Sequence, residues 1–329
     1  MKNIMKMFKK GYVYYFCFFI IFSIISFPIL LLHTPFFKRA RKVYVGSAVM
    51  STSHQWLATK FISNNKINNI VMEKAYEDKE LKSNEDTVKI SKTQDGTIDF
   101  LKINNARYNG YVMLVHNPKR VKVGYSDEGG KKGEEISAIV KKNNAIAGIN
   151  GGGFMTNFDE EYTNTPLGII ISEGNLIYPK AESEINLSDE MEICAINKDG
   201  ILIVGDYSYE ELVNLNVQEA VSFGPTLIKD GRAVDIRYNS IGGGGMSQRS
   251  VIGQRADGSI ILIIIEGNLH PRAGATIAEL QQLMLDLGAI NAINLDGGNS
   301  VIMYKDGKVV NEPKGSQSSR NLSSGIIVK

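Results

Sequence analysis

The chain has 329 residues, of which 43% are hydrophobic and 22% charged, and its formal net charge is +2. That balance suits a folded protein with a substantial core and excludes a disordered or fibrous chain. The near-neutral charge gives no electrostatic case for a nucleic-acid partner.

Lys2, Lys6, Lys9 and Lys10 precede an apolar run from Gly11 to Leu32. As a helix that run spans about 33 Å, roughly one bilayer core. Tyr12, Tyr14, Tyr15 and Phe16 crowd its start, as interfacial aromatics do. Residues 1–45 are therefore expected to be a transmembrane anchor with basic flanks. A cleaved signal peptide is the alternative, although no small-x-small site follows the run. Lys38, Arg39, Arg41 and Lys42 balance the N-terminal lysines, so charge does not set the orientation. The soluble part is expected outside the cytoplasm. Cys17 lies within the run and Cys194 far beyond it, so no disulfide framework is expected.

Residues 46–98 read as a juxtamembrane helix over 47–63 followed by a polar linker over 64–97. The linker is rich in Asn, Lys, Glu and Asp and has a short helix near Ile70–Tyr76. A compact domain is expected over 99–329. Its punctuation is mostly that of strands. SEGN at 172–175, KDGI at 198–201, KDGR at 229–232, ADGS at 256–259 and KDGK at 305–308 carry the residues of tight hairpin turns. Helices are predicted at Glu134–Asn143, at Tyr209–Asn214 and over TIAELQQLMLDLG, 276–288. In the last, Ile277, Leu280, Met284 and Leu287 share one face. Thr276 and Glu279 have capping-box spacing, and Gly288 supplies the stop. The expected class is α+β: one domain with a large, mainly antiparallel or mixed sheet, several hairpins and packed helices, behind an N-terminal transmembrane helix.

Three strands end alike. AIAGIN, 145–150, runs into Gly151, Gly152 and Gly153. IILIIIEG, 260–267, ends in Glu266 and Gly267. AINAINLDGG, 289–298, ends in Asp296, Gly297 and Gly298. Each is an apolar strand, one polar residue, then glycine, which lets a ligand approach the main chain. If these strands neighbour one another, Asn150, Glu266 and Asp296 converge on one pocket. If not, each is a turn with a polar cap. VSFGPTLI, 221–228, sets Gly-Pro inside an apolar stretch, and IGGGGMSQRS, 241–250, is a glycine run leading to Arg249. Arg249, Arg255, Arg272 and Arg320 sit beside glycine- or serine-containing loops, where a guanidinium fork and backbone N–H groups can share a phosphate. Arg249 and Arg320 are the foremost of these. No G-x-S-x-G elbow, Walker loop, HExxH or paired-cysteine metal motif occurs. Of the histidines, only His270 lies near a candidate site residue.

Five segments in order carry a resemblance: GINGGGF at 148–154, SFGPTLIKDG at 222–231, RSVIGQRADG at 249–258, GATIAELQQLMLDLGAINAINLDGGNS at 274–300 and RNLSSGIIV at 320–328. Together they resemble the phosphodiester glycosidases, the group that includes the mannose 6-phosphate uncovering enzyme. The resemblance covers roughly residues 99–329. It departs from the family at Asn299, where a third glycine is usual, and at Glu266, where aspartate is frequent.

The resemblance implies cleavage between a sugar's anomeric carbon and a phosphodiester oxygen, releasing sugar and phosphomonoester. Asp296 is the first catalytic candidate and Glu266 the second, as base, nucleophile or hydroxyl-binding group. Asn150, Gly151, Gly152, Arg249, Arg272, Gly297, Gly298, Ser300 and Arg320 are the candidate substrate contacts. The partner implied is a phosphorylated carbohydrate, either an N-acetylglucosamine-1-phosphodiester or a cell-envelope glycopolymer. No cofactor is required. The alternative is a membrane-anchored module that binds a glycopolymer or a divalent ion without turnover, with Asp296, Asn294 and Asn299 as oxygen ligands.

Overall fold

Two-residue loops with both central residues left-handed match the twist of antiparallel strands. Three of the predicted turns have that backbone: Glu173-Gly174, Asp230-Gly231 and Asp306-Gly307 all have positive φ. The hairpins they close, with the helices between them, build the fold seen in the computed structural model of the chain. The structure describes every residue except 1, 51–54, 64–65, 68–69, 71–81, 91–94, 105, 158–162, 187, 237–244, 268–272 and 312–319.

Three sheets carry the domain, and every described strand pairing is antiparallel. The largest has seven strands in the order β1 (Ile98–Asn104), β2 (Asn109–Val115), β15 (Ile260–Glu266), β14 (Arg249–Arg255), β16 (Ala289–Leu295), β12 (Thr226–Lys229) and β13 (Arg232–Ala233). A five-stranded sheet runs β10 (Leu202–Tyr207), β9 (Met191–Asn197), β11 (Val217–Ser222), β7 (Ile170–Ser172) and β8 (Asn175–Tyr178). A second runs β18 (Lys308–Val309), β17 (Met303–Lys305), β4 (Ala147–Asn150), β19 (Ser324–Val328) and β3 (Val121–Tyr125). A hairpin of β5 (Phe154–Asn157) and β6 (Thr163–Pro166) follows β4.

The strands bury alternate faces in different cores. Ile260, Leu262, Ile264, Ile293 and Leu295 face the other two sheets. Ile261, Ile263, Ile265 and Ala292 face the helix predicted over 276–288, which forms as Ile277–Asp286. Its capping box is present: Glu279 N donates to Thr276 Oγ1 at 3.2 Å, and Thr276 N to Glu279 Oε2 at 2.9 Å. The other two predicted helices form as Ile136–Lys142 and Tyr209–Asn214.

Near the N-terminus one helix, Lys2–His33, contains a stretch long and apolar enough to cross a membrane, Tyr12–His33. A second helix follows at Lys38–Met50 and a short third at Trp56–Thr59.

The stretch expected to be a polar linker differs at 82–90. Ser83 N donates to Val204 O, Val204 N to Ser83 Oγ and Tyr207 Oη to Ser83 O. Lys82 pairs with Glu190 and Glu211. The physical reason is an open edge: β10 is the outer strand of its sheet, and an uncovered row of N–H and C=O groups invites pairing. Polar residues that look like linker in sequence serve here as its cover.

A buried carboxylate joins the two five-stranded sheets. Glu219 of β11 is 1% exposed, accepts from Val123 N of β3 at 2.8 Å and lies 3.2 Å from Lys122 Nζ. Ser172 Oγ of β7 donates to Val123 O. Both backbone groups of Val123 are thus met by side chains from the neighbouring sheet. Replacing Glu219 by alanine leaves a buried N–H unmet, which costs about 1–3 kcal/mol. Glu219→Ala is therefore expected to lower the denaturation midpoint clearly. Glu219→Gln, which keeps an acceptor for Val123, is expected to lower it less. Equal midpoints for Glu219→Ala and the wild type in chemical denaturation would remove this joint from the account.

Candidate active site

Asp296 is the first residue past the end of β16. Its backbone N donates to Gly151 O at 3.2 Å, at the end of β4 in a different sheet. Asn150 completes that junction and is fully buried. Its Nδ2 donates to Asp296 O at 2.6 Å, and its Oδ1 accepts from Ser250 Oγ at 2.6 Å and from Ile302 N at 3.3 Å. One carboxamide therefore holds together the ends of β4, β14 and β16. Asn150 acts on the site through the backbone of Asp296.

The glycines around this junction have two different causes. A Cβ on Gly151 would lie 2.7 Å from Ser324 Oγ, and one on Gly152 would lie 3.0 Å from Ser222 O. These two permit close packing against β19 and β11. Gly298 has φ +60°, and among the described residues a Cβ there would meet nothing within 4 Å. It is needed for its left-handed backbone, and the space beside it is open. Asn299, in the short 3-10 turn Gly298–Ser300, is exposed, so this backbone does not demand the third glycine.

Asp296 is 4% exposed. Burial pushes its carboxyl above the ordinary range, opposed by the charge of Arg320, a hydrogen bond from Ser300 and one from Gly297 N at 2.9 Å. Arg320 Nη1 donates to Ser300 Oγ at 2.8 Å. Ser300 thus links guanidinium to carboxylate. The Arg320 guanidinium also lies 4.4 Å from the centroid of the Phe154 ring, and its Nη2 is 3.5 Å from Thr156 Oγ1. Burial lowers the pKa of Arg320, and Asp296 opposes that shift. Phe154 and Thr156 were not among the residues singled out in the sequence, although Phe154 closes the GINGGGF segment.

Arg249 lies on β14, and continuing the register with β16 sets it opposite Asp296. Arg249 is 3% exposed and shares a strand face with Val251, which packs beneath the helix Ile277–Asp286. Its Nε donates to Ala275 O at 3.2 Å and its Nη2 to Gly245 O at 2.8 Å, and burial lowers its pKa to about 10. It ties the end of the glycine run to the loop before that helix. Glu266 ends β15, and β14 lies between β15 and β16. Continuing the printed registers sets Gln248 between Glu266 and Gly297. The Glu266 backbone is therefore two strand spacings from the Asp296 loop, about 10 Å. Arg272 and His270 fall outside the described residues.

The Gly-Pro segment forms the wall beside Asn294. The Gly224-Pro225 bond is cis. Asn294 Nδ2 donates to Gly224 O at 2.9 Å, and Glu192 Oε1 accepts from Thr226 N at 2.6 Å. Asn294 Oδ1 is buried without a hydrogen-bond partner among the described residues. Among the described residues no group of three His, Cys, Asp or Glu side chains is arranged to hold a metal ion.

A family model for phosphodiester glycosidases matches residues 143–329, more than half of the chain, and the chain belongs to that family. The SPbeta prophage-derived protein YomE of Bacillus subtilis (strain 168) is 25% identical over 197 residues, 59% of this chain and 28% of the relative. The N-acetylglucosamine-1-phosphodiester alpha-N-acetylglucosaminidase of Mus musculus is 27% identical over 225 residues, 62% of this chain and 41% of the relative. The chain thus spans less than half the length of these curated relatives. The zebrafish enzyme of that name, solved as a catalytic domain auto-inhibited by its pro-peptide, matches with a TM-score of 0.60. The identity is 20%, over 73% of this chain and 86% of that one. That likeness shows a shared fold.

The geometry predicts a direction for the Asp296 titration. The Arg320 charge opposes the effect of burial, so Arg320→Gln is expected to raise the Asp296 pKa further. Ser300→Ala removes a hydrogen bond to the carboxylate and is expected to shift it the same way. Carboxyl carbon NMR over a pH series reads both. An unchanged midpoint in Arg320→Gln would show that the two groups are not coupled.

Proposed function

We propose that the chain hydrolyses a sugar-1-phosphodiester to free sugar and a phosphomonoester. The observation that carries this reading is Asp296: a buried carboxylate at a strand end, linked through Ser300 to Arg320 and flanked by the open backbone of Gly298. Membership of the phosphodiester glycosidase family supports the reaction class. The relatives named for N-acetylglucosamine-1-phosphodiester make that sugar the first to test, with an envelope glycopolymer as the other substrate.

In this reading the bond between the anomeric carbon and the phosphate oxygen breaks, and its electron pair stays with the phosphate. Water supplies the new oxygen on the sugar. Asp296 either takes the proton from that water or attacks the anomeric carbon first. Arg320 meets the charge that gathers on the leaving phosphate, with backbone N–H groups of the glycine loop as further donors. A phosphomonoester's second pKa is about 6, so the leaving group needs little protonation. Glu266, about two strands away, serves the sugar side. The open space at Gly298 and Asn299 admits the substrate. No cofactor is needed. The unpartnered Oδ1 of Asn294 favours a second reading, a cation bound with Asp296 and Asn299. Turnover abolished by a chelator and restored by calcium would support it. The catalytic domain is anchored by the N-terminal helix and works outside the cytoplasm.

Asp296→Asn keeps the side chain's size and removes its charge. It is expected to cost on the order of 10²–10⁴-fold in kcat, the range for a positioned general base, with the far-ultraviolet dichroism unchanged. Near-normal turnover would make Asp296 a structural turn residue. Glycopolymer binding without turnover in the wild type would identify a binding module. Arg320→Lys loses the planar fork, so phosphodiester hydrolysis is expected to fall more than hydrolysis of an aryl glycoside, whose leaving group departs unaided. Equal losses would remove Arg320 from the phosphate side.

A further inference from the structure

Resting on that reading, we infer that the substrate's alcohol arm is a long-chain membrane lipid, lying in the bilayer that holds the N-terminal helix. The apolar stretch Tyr12–His33 is long and apolar enough to cross a membrane. Its side chains stand outward for most of its length, as at Tyr12 (73% exposed) and Phe19 (56%). The last turn is different. Leu31 and Leu32 are buried, and Leu32 shares a core with Val45, Val49, Ile67, Met155 and Leu167. The end of the apolar helix is therefore built into the folded protein with no spacer. A leader removed after export would leave that core open; with the helix retained as an anchor, the domain sits at its mouth.

The surface beside that junction has the composition of a headgroup layer. Phe36, directly after the apolar helix, is 87% exposed, and Trp56 and Phe61 are about half exposed. Lys60 is exposed next to Phe61. Aromatic residues and lysines at the end of a span are what bilayer interfaces select.

One strand joins this surface to the candidate site. Met155 of β5 packs in the core under Lys38–Met50. Its neighbours Phe154 and Thr156 project to the opposite side, where both meet Arg320. Arg320 leads through Ser300 to Asp296. The phosphate-side arginine thus lies directly across β5 from the core that holds Lys38–Met50 and the end of the apolar helix. A sugar-1-phosphodiester of a long-chain alcohol keeps its phosphate at that level, with its chain in the bilayer. Water adds to the anomeric carbon, the C–O bond breaks, and the products are free sugar and the lipid monophosphate.

The test reconstitutes the full chain in phosphatidylcholine–phosphatidylglycerol vesicles. The probes are the hexadecyl and methyl esters of N-acetylglucosamine-1-phosphate at equal total amounts. Confinement to one membrane raises effective concentration towards the millimolar range. The hexadecyl ester in the same vesicles is therefore expected to react at least about tenfold faster than the methyl ester at micromolar bulk concentration. Hexadecyl ester supplied in separate vesicles is expected to lose that advantage. Phe36→Ser with Trp56→Ser, at exposed positions outside the catalytic machinery, is expected to slow the hexadecyl ester several-fold and leave the methyl ester unchanged. Equal rates for the two esters in the same vesicles, or methyl ester turnover alone, overturn the lipid inference and leave the hydrolase reading standing. Turnover of an envelope glycopolymer but of neither ester overturns the lipid inference alone, and turnover of none of the three overturns both.

Discussion

The site depends on one buried carboxamide. Asn150 lies where β4 of one sheet meets β14 and β16 of another, and it satisfies groups from each. Strands in separate sheets have no ladder to hold their ends in register. A side-chain amide with a donor and an acceptor supplies that register locally. Because its donor bonds the backbone oxygen of Asp296, the position of the carboxylate follows from the packing of two sheets. An aspartate side chain or a shorter residue at 150 has no amide donor for that oxygen.

The same junction explains the chemistry of Asp296. A carboxylate this deeply buried is driven towards its neutral form, and Arg320 and Ser300 oppose that tendency. The native pKa is raised above its unfolded value. The stability associated with the neutral form is therefore present at low pH and lost as pH rises through the folded value. A fold optimised for stability alone would not keep an ionisable group there. Perturbed carboxylates paired with a cation recur where charge must form and move. Arg320 is itself half committed, with one nitrogen on Ser300 and its face over Phe154. In the proposed reaction an incoming phosphate would meet a guanidinium already oriented.

Much of this was legible in the chain. The Asp-Gly turns, the capped helix Ile277–Asp286 and the strand ends at Asn150 and Asp296 follow from local chemistry: left-handed turn residues, a Thr–Glu cap, polar residues stopping apolar runs. What was not legible depends on contacts distant in sequence. Thr156 and Phe154 are ordinary residues until β5 carries them under Arg320. Residues 82–90 have the composition of a linker, and only the open edge of β10 makes them structural. Arg249 follows a glycine run, and only the fold shows that its guanidinium meets the carbonyl oxygens of Gly245 and Ala275.

The glycines illustrate why a motif cannot be read at a single level. GINGGGF and NLDGG look alike in sequence, as glycine runs after polar strand ends. At 151 and 152 the missing Cβ is replaced by atoms of β19 and β11, so the constraint is packing density. At 298 no described residue replaces it, and the constraint is a positive φ. The first kind of glycine brings two sheets close enough for Asn150 to join them. The second leaves room beside Asp296 once they are joined. Asn299, exposed and in right-handed backbone, belongs to neither kind. Substitution there can change what the open space accepts without disturbing the junction beneath it. Under the proposed function, specificity can vary at 299 while the position of the carboxylate is held from below.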